Sequence, residues 1–354
     1  MISSARRMTA SLGDAVVALI MALHLTFALG LIAALLAISQ ARAEDDTCGG
    51  RNLVEDWRAN DPARLAAVEK EAAKIPNGKG LFWKIEKTDI APSYLLGTMH
   101  VTDPRVLAMP KGAPEAYRAA GTVIVESDEI VDEKKAAAAV MMRPDLTMFA
   151  DGKTIGDFLK PDEKQTLEAG LKARGIPLAL VSRMKPWMIA SFVALPACEM
   201  TRKAAGASFL DKQLAEEALK TGKTLKGLES LTEQLQAMDA LPAQFHVQAL
   251  VETLRMGDAV KDVMETTTEL YLSGDIGMVM PMMKAVSEEQ AGSTDDADFE
   301  QRIITDRNRT MATRAKPILE KGNAFMAVGA LHLPGEQGLI ELLRKDGFTV
   351  SAVN

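Results

Sequence analysis

Tyr94-Leu95-Leu96-Gly97-Thr98-Met99-His100 and Phe325-Met326-Ala327-Val328-Gly329-Ala330-Leu331-His332 repeat one pattern: an apolar run, a glycine, and a histidine three residues later. A short continuous apolar run closed by a turn residue reads as a buried strand. Glycine tolerates φ > 0 and lets the backbone pass close to a ligand, so each run can turn sharply at Gly97 and Gly329. Each histidine then lies in a loop at a strand's exit, the rim where open α/β sheets bind ligands. The chain has four histidines, and this doubled GxxH pattern uses two of them. Two such exits side by side aim two imidazoles into one crevice.

The flanks extend the pattern into a fold. Leu81, Trp83 and Ile85 alternate as a strand does, and the Asp89–Ser93 stretch turns the chain into the first GxxH run, so a hairpin is expected there. Asp61-Pro62 is an N-cap followed by proline at N1, with Leu65, Val68 and Ala72 at helical spacing behind it. A short helix around Glu115 to Ala120 ends at Gly121, and Thr122-Val123-Ile124-Val125 then forms a strand that delivers Glu126 at its end. At the other terminus, the second GxxH run is followed by a helix at Leu339–Leu343 and by a last strand in which Phe348, Val350 and Ala352 alternate.

Between about 130 and 310 the pattern is mainly helical. Pro161 opens one helix, Leu210, Leu214 and Ala218 mark another, and Ser230 with Glu233 forms the capping box of a third. The acidic stretch Ser287–Glu300 reads as a solvated loop, and Met278, Met280, Met282 and Met283 as packing residues. The expected fold class is α/β: a single domain over 44–354, with a mixed central sheet built from the N- and C-terminal segments and a long helical insertion (about 130–310) capping it.

Residues 1–43 read as an export signal peptide. Arg6 and Arg7 precede a long apolar stretch, roughly Ala15 to Ile38, and Ala41-Arg42-Ala43 offers small residues for cleavage after Ala43. The stretch also approaches bilayer-spanning length, so an uncleaved anchor is the competing reading. Either way the bulk of the chain lies outside the cytoplasm, periplasmic or secreted if cleaved. Taking Arg6, Arg7, Arg42 and Asp14 from 41 basic and 48 acidic side chains leaves 38 and 47, a formal net of −9. That balance speaks against nucleic acid and against an anionic membrane surface as partners. The two cysteines, Cys48 and Cys198, read as one disulfide in an oxidising compartment, or as two unrelated buried thiols.

Two histidines rarely hold a catalytic metal without a carboxylate, and Glu126 is placed to complete the set. His100, His332 and Glu126 together suit manganese, cobalt, iron or zinc. Such an ion polarises a carbonyl and lowers the pKa of bound water toward neutrality, giving a hydroxide nucleophile. The bland alternatives are a chance GxxH, a Glu126 that only caps the next helix, a packed or surface His246, and an Arg307 on a solvated helix face. No HExxH and no G-x-S-x-G occurs, which removes an ordinary zincin and a serine-hydrolase elbow.

Many blocks in order carry a resemblance. They run from Cys48-Gly49-Gly50 and Asn52-Leu53, through Trp83-Lys84-Ile85, the first GxxH, Val125-Glu126 and Lys185-Pro186-Trp187, to Asp211 with Ala215 and Ala218. Gly227-Leu228-Glu229 with Gln234, then Arg307-Asn308, and finally Val328–Leu333 with Gly335 and Gly338 complete the series. In these the chain resembles the TraB/GumN family, whose animal relatives include the Tiki metalloproteases. The resemblance implies an erythromycin-esterase/ChaN-like α/β fold and a metal-dependent hydrolase site on His100, His332 and Glu126. It adds Arg307 as stabiliser of an oxyanion and Glu229 as a partner orienting a ligand histidine. The function it implies is an exported peptidase with a divalent ion (manganese, cobalt or zinc) and a polypeptide or other small exported substrate. A non-catalytic binding or accessory protein for metal, haem or exopolysaccharide on the same fold is the alternative.

Overall fold

Six strands form one mixed sheet in the order β4-β3-β5-β2-β1-β6. They are β1 (Phe82–Lys87), β2 (Ile90–Thr98), β3 (Thr122–Val125), β4 (Thr224–Gly227), β5 (Ala324–Gly329) and β6 (Thr349–Ala352). The computed structural model describes residues 48–150, 152–288 and 300–353. The leader, and most of the acidic stretch read as a loop, therefore lie outside the described residues.

The expected hairpin is present, with β1 antiparallel to β2. The two GxxH runs are parallel neighbours, Gly97 opposite Val328 and Thr98 opposite Gly329. β3 lies parallel to β5 on its other side, and β4 parallel to β3. β2, β5, β3 and β4 thus form a parallel block whose exits share one edge. β5 sits inside it with Ala324 to Val328 all buried, as a strand covered on both faces must be.

Both faces are covered by helices. α1 (Leu53–Asn60) and α2 (Pro62–Ala72) precede the sheet, and Asp61 caps α2 through the Arg64 amide, as its Asp-Pro signature predicts. On one face α3 (Ala113–Ala119) packs Ala116 and Tyr117 against Val123, Val125, Phe325 and Ala327. The opposite face carries Leu95, Ile124, Met326 and Val328. In the middle of the chain lie α4 (Pro161–Ala173), α5 (Pro186–Val193), α6 (Ala197–Ala204) and α7 (Leu210–Lys220). They are followed by α8 (Leu231–Asp239), α9 (Ala243–Met256), α10 (Ala259–Ser273) and α11 (Val279–Glu288). Last come α12 (Asp306–Leu319) and α13 (Leu339–Lys345), which cover that opposite face through Met311, Leu319, Ile340 and Leu343.

The middle corrects the expected architecture in two ways. It contributes β4, so the sheet is not built from the two ends alone, and α7 packs on the sheet through Leu214 and Ala218 rather than standing off as a cap. A separate core joins α4, α5 and α9 through Leu167, Ile189 and Leu250. Met282 is fully buried against α1 and α2, which bears out its reading as packing. His246 is buried with its ring on the Met238 carbonyl, also as expected. Cys48 and Cys198 form a disulfide, Cα atoms 5.4 Å apart. No described helix is long and apolar enough to cross a membrane.

Candidate functional site

Each strand of the parallel block hands over one polar side chain at its exit. β2 ends two residues before His100, β3 one before Glu126, β4 two before Glu229, and β5 three before His332. Shared direction and register make these four exits neighbours, although 232 residues separate the two histidines (100 to 332). A cavity of about 450 Å³ opens over this edge. His100, Glu126, Arg307 and His332 line it, and helices of the middle close it with Gln234, Met238, Thr267 and Tyr271.

The glycines serve close approach rather than a left-handed turn. Gly329 has φ −51° and Gly97 is not among the residues with positive φ, so neither uses the φ > 0 that glycine permits. A Cβ on Gly97 would stand 3.1 Å from the Cα and Cβ of Ala330, where the second GxxH loop crosses the first. A Cβ on Gly329 would stand 3.0 Å from Glu126 Oε1.

Glu126 is the hub. Its Oε1 accepts from the Gly329 amide at 2.8 Å and lies 3.9 Å from His100 Nε2 and 3.8 Å from His332 Nε2. Its Oε2 accepts from Arg307 Nη2 at 2.7 Å and from Gln234 Nε2 at 3.3 Å. Burial opposes its charge, but His332, His100, Arg307 and the Gly329 amide prevail and bring its pKa down to about 2. The carboxylate is therefore ionised at any working pH.

The two histidines are held differently. His332 is buried, and its Nδ1 lies 2.7 Å from Asn308 Oδ1. An amide oxygen only accepts, so Nδ1 carries the proton and the Nε2 lone pair faces Glu126. Burial pushes its pKa down to about 4, keeping the ring neutral. His100 is half-exposed, with its ring against Phe209 at 5.1 Å. Desolvation disfavours its charge, but Asp211, 3.5 Å from Nε2, and Glu126 outweigh it and shift the pKa upward.

Arg307 and Glu229 belong together. Arg307 Nε and Nη2 both reach the Glu229 carboxylate, at 3.0 and 2.7 Å, while the same Nη2 reaches Glu126. Glu229 thus orients the guanidinium, and the side chain that orients a histidine is Asn308. Nη1 is the guanidinium nitrogen without a carboxylate partner; it makes a 3.4 Å bond to the Ile303 carbonyl.

Sequence reasoning singled out no role for Asp211 or Asn308. Asp211, 2% exposed in the first turn of α7, accepts from the Thr98 hydroxyl at 2.8 Å and leaves Oδ2 without a partner. Their one signal was membership of the Asp211 and Arg307-Asn308 blocks.

The donor chemistry suits a divalent ion: one neutral imidazole with a free lone pair, a second imidazole, and an ionised carboxylate. Separations of 3.8–3.9 Å exceed the roughly 3.4 Å edge of a tetrahedral set at about 2.1 Å, so these donors would have to draw together by a few tenths of an ångström to hold an ion. Among the described residues no three ligating side chains form a ready-made cluster.

The chain is similar to a "Metalloprotease TIKI homolog" of Nematostella vectensis, 26% identical over 323 residues, covering 78% of this chain and 68% of that protein. It is 25% identical to "Metalloprotease TIKI1" of Danio rerio and of Homo sapiens, covering 76% of this chain but only 62% and 61% of those proteins. No solved structure matches. The model of the TraB/PrgY/gumN family matches residues 81–352, from the first strand to the last, and the chain belongs to that family.

Proposed function

We propose that the chain is an exported metal-dependent hydrolase that cleaves peptide bonds, with His100, His332 and Glu126 donating to a divalent ion (manganese, cobalt or zinc). The carrying observation is His332: neutral, its Nδ1 tied to Asn308, its Nε2 aimed at the Glu126 oxygen that His100 also approaches. The metalloprotease names of the relatives support the same reaction class. A bound ion supplies Lewis acidity toward a carbonyl and makes water more acidic.

The chain's own groups do the rest. Asn308 fixes the tautomer that leaves Nε2 free, and the Gly329 amide and Arg307 keep Glu126 ionised. Glu229 holds the guanidinium in place, and Nη1 is the edge we assign to the oxygen that gathers negative charge. Met238, Val279, Ile303 and Leu331 give the cavity apolar walls that displace water around an incoming polypeptide. The disulfide supports an exported, oxidising location, reached through the 1–43 leader and its cleavage after Ala43. The membrane enters this reading only through an uncleaved leader.

One observation favours the binding-protein alternative: Arg307 already neutralises Glu126, as a cation would. Metal content after loading with manganese, cobalt and zinc, compared with His100→Ala and His332→Ala, separates the two. An ion lost in both variants, with turnover of a peptide library by the wild type, supports the hydrolase. An ion without turnover favours the accessory role, and no ion under any loading removes the hydrolase.

A further inference from the structure

The two histidines need different support. His332 is fixed by burial and by Asn308, whereas His100 is half-exposed in the loop leaving β2, between Thr98 and the next helical turn at Pro104. Its ring has the Asp211 carboxylate at 3.5 Å and the face of Phe209 beside it. What fixes the backbone under it lies two residues on. Thr102 is 2% exposed, and both its amide and its hydroxyl donate to one carboxylate, that of Glu199, at 2.7 and 2.9 Å.

Glu199 is itself 2% exposed, in the first turn of α6. Arg202, one turn on, reaches Glu199 Oε2 at 3.4 Å and Cys48 Sγ at 3.4 Å. The neighbouring residue, Cys198, carries the disulfide to Cys48. A two-pronged carboxylate on a covalently anchored helix holds a loop in one shape, because either prong alone leaves a rotation that the pair removes. Val101 and Val106, also buried, close the loop from the apolar side.

We infer that Glu199 is the positioning residue for His100: the braced α6 clamps Thr102 and thereby sets where the first GxxH imidazole stands relative to Glu126. Both hydrogen bonds of the clamp fall on the His100 loop, whereas His332 has its own anchor in Asn308, so loss of the clamp is expected to act first on His100. This rests on the proposed function only for the purpose of His100; the placement of the ring is a property of the chain with or without an ion.

The test is ring-selective NMR on the full chain, disulfide intact, with ¹³C/¹⁵N-labelled histidine and signals assigned by His→Ala variants. In Glu199→Gln, which loses the charge and one strong acceptor, the His100 ring signals are expected to shift and broaden while those of His332 stay. Thr102→Val, which removes one prong and keeps the fold's shape, gives the same change to a smaller degree and remains readable if Glu199→Gln does not fold. Cobalt(II) affinity is expected to fall about tenfold in Glu199→Gln, the usual scale for a residue supporting a ligand. Lower thermal stability with both rings unmoved would make Glu199 structural only and overturn the inference. Shifted His100 signals in Glu199→Gln, beside a wild type that holds none of manganese, cobalt or zinc, would leave the inference standing and remove the hydrolase reading instead.

Discussion

At the residue scale, the site depends on spaces as much as on groups. The Cβ missing from Gly329 is the room in which Glu126 Oε1 sits, so Gly329→Ala is expected to push the carboxylate aside by several tenths of an ångström. In the proposed peptidase a displacement of that order costs up to about a hundredfold in rate, measurable as peptide turnover beside an unchanged circular dichroism spectrum; unaltered turnover would show that Glu126 needs no such fit. Asn308→Ala leaves the buried Nδ1–H of His332 without its acceptor, a loss of about 1–3 kcal/mol. Urea denaturation should register it, and wild-type stability in this variant would mean that the ring takes another tautomer. That His100 and His332 stand at strand exits was legible because each follows an apolar run closed by a glycine, while Glu126 was secured as a candidate through the family resemblance and otherwise read as a cap of the next helix. Asp211 and Asn308 were not legible, because a polar residue in a helix's first turn looks like any cap until the strand end or loop it faces, 113 or 24 residues away, is known.

The elements divide along the same line. The Asp-Pro start of α2, the capping box of α8 and the hairpin of β1 and β2 are local signals, and all appear where their residues predict. β4 escaped because Thr224–Gly227 is four residues long, sits at the sheet's edge and alternates only between exposed and half-buried positions. Nothing in so short a stretch separates a strand from a turn without its partner β3. α8 also shows how an element can carry pH dependence. Glu233, whose pKa is brought down to about 2 chiefly by the Arg314 hydrogen bond, ties α8 to α12. Lowered in the folded state, it stabilises above the ordinary glutamate range near 4.5 and loses that contribution as pH falls through about 2. Both side chains are partly solvated, so the effect is modest. Melting temperature followed from pH 5 to pH 2 should fall less steeply in Glu233→Gln than in the wild type; parallel curves would contradict it.

For the whole molecule, the α/β class and the pairing of N- and C-terminal segments were legible because apolar runs cluster at both ends. How the middle distributes itself was not, since periodicity gives a helix but not the surface it covers. The disulfide closes a span of 150 residues. Removing it with Cys48→Ser/Cys198→Ser should cost up to about 5 kcal/mol if the gain comes from restricting the unfolded chain. Chemical denaturation of the double variant checks this, and an unchanged midpoint would contradict the chain-entropy account.

The parallel block has a consequence for timing. Its four polar contributions come from strands scattered from the first third of the chain to its final tenth, and β5 completes the set. Parallel pairing over such separations is slow and late in folding. If the chain is exported as proposed, threaded through a membrane in extended form, it carries no assembled site on the side where it is made. On the proposed export route, latency would come with the topology and end only when the last strand has crossed and docked.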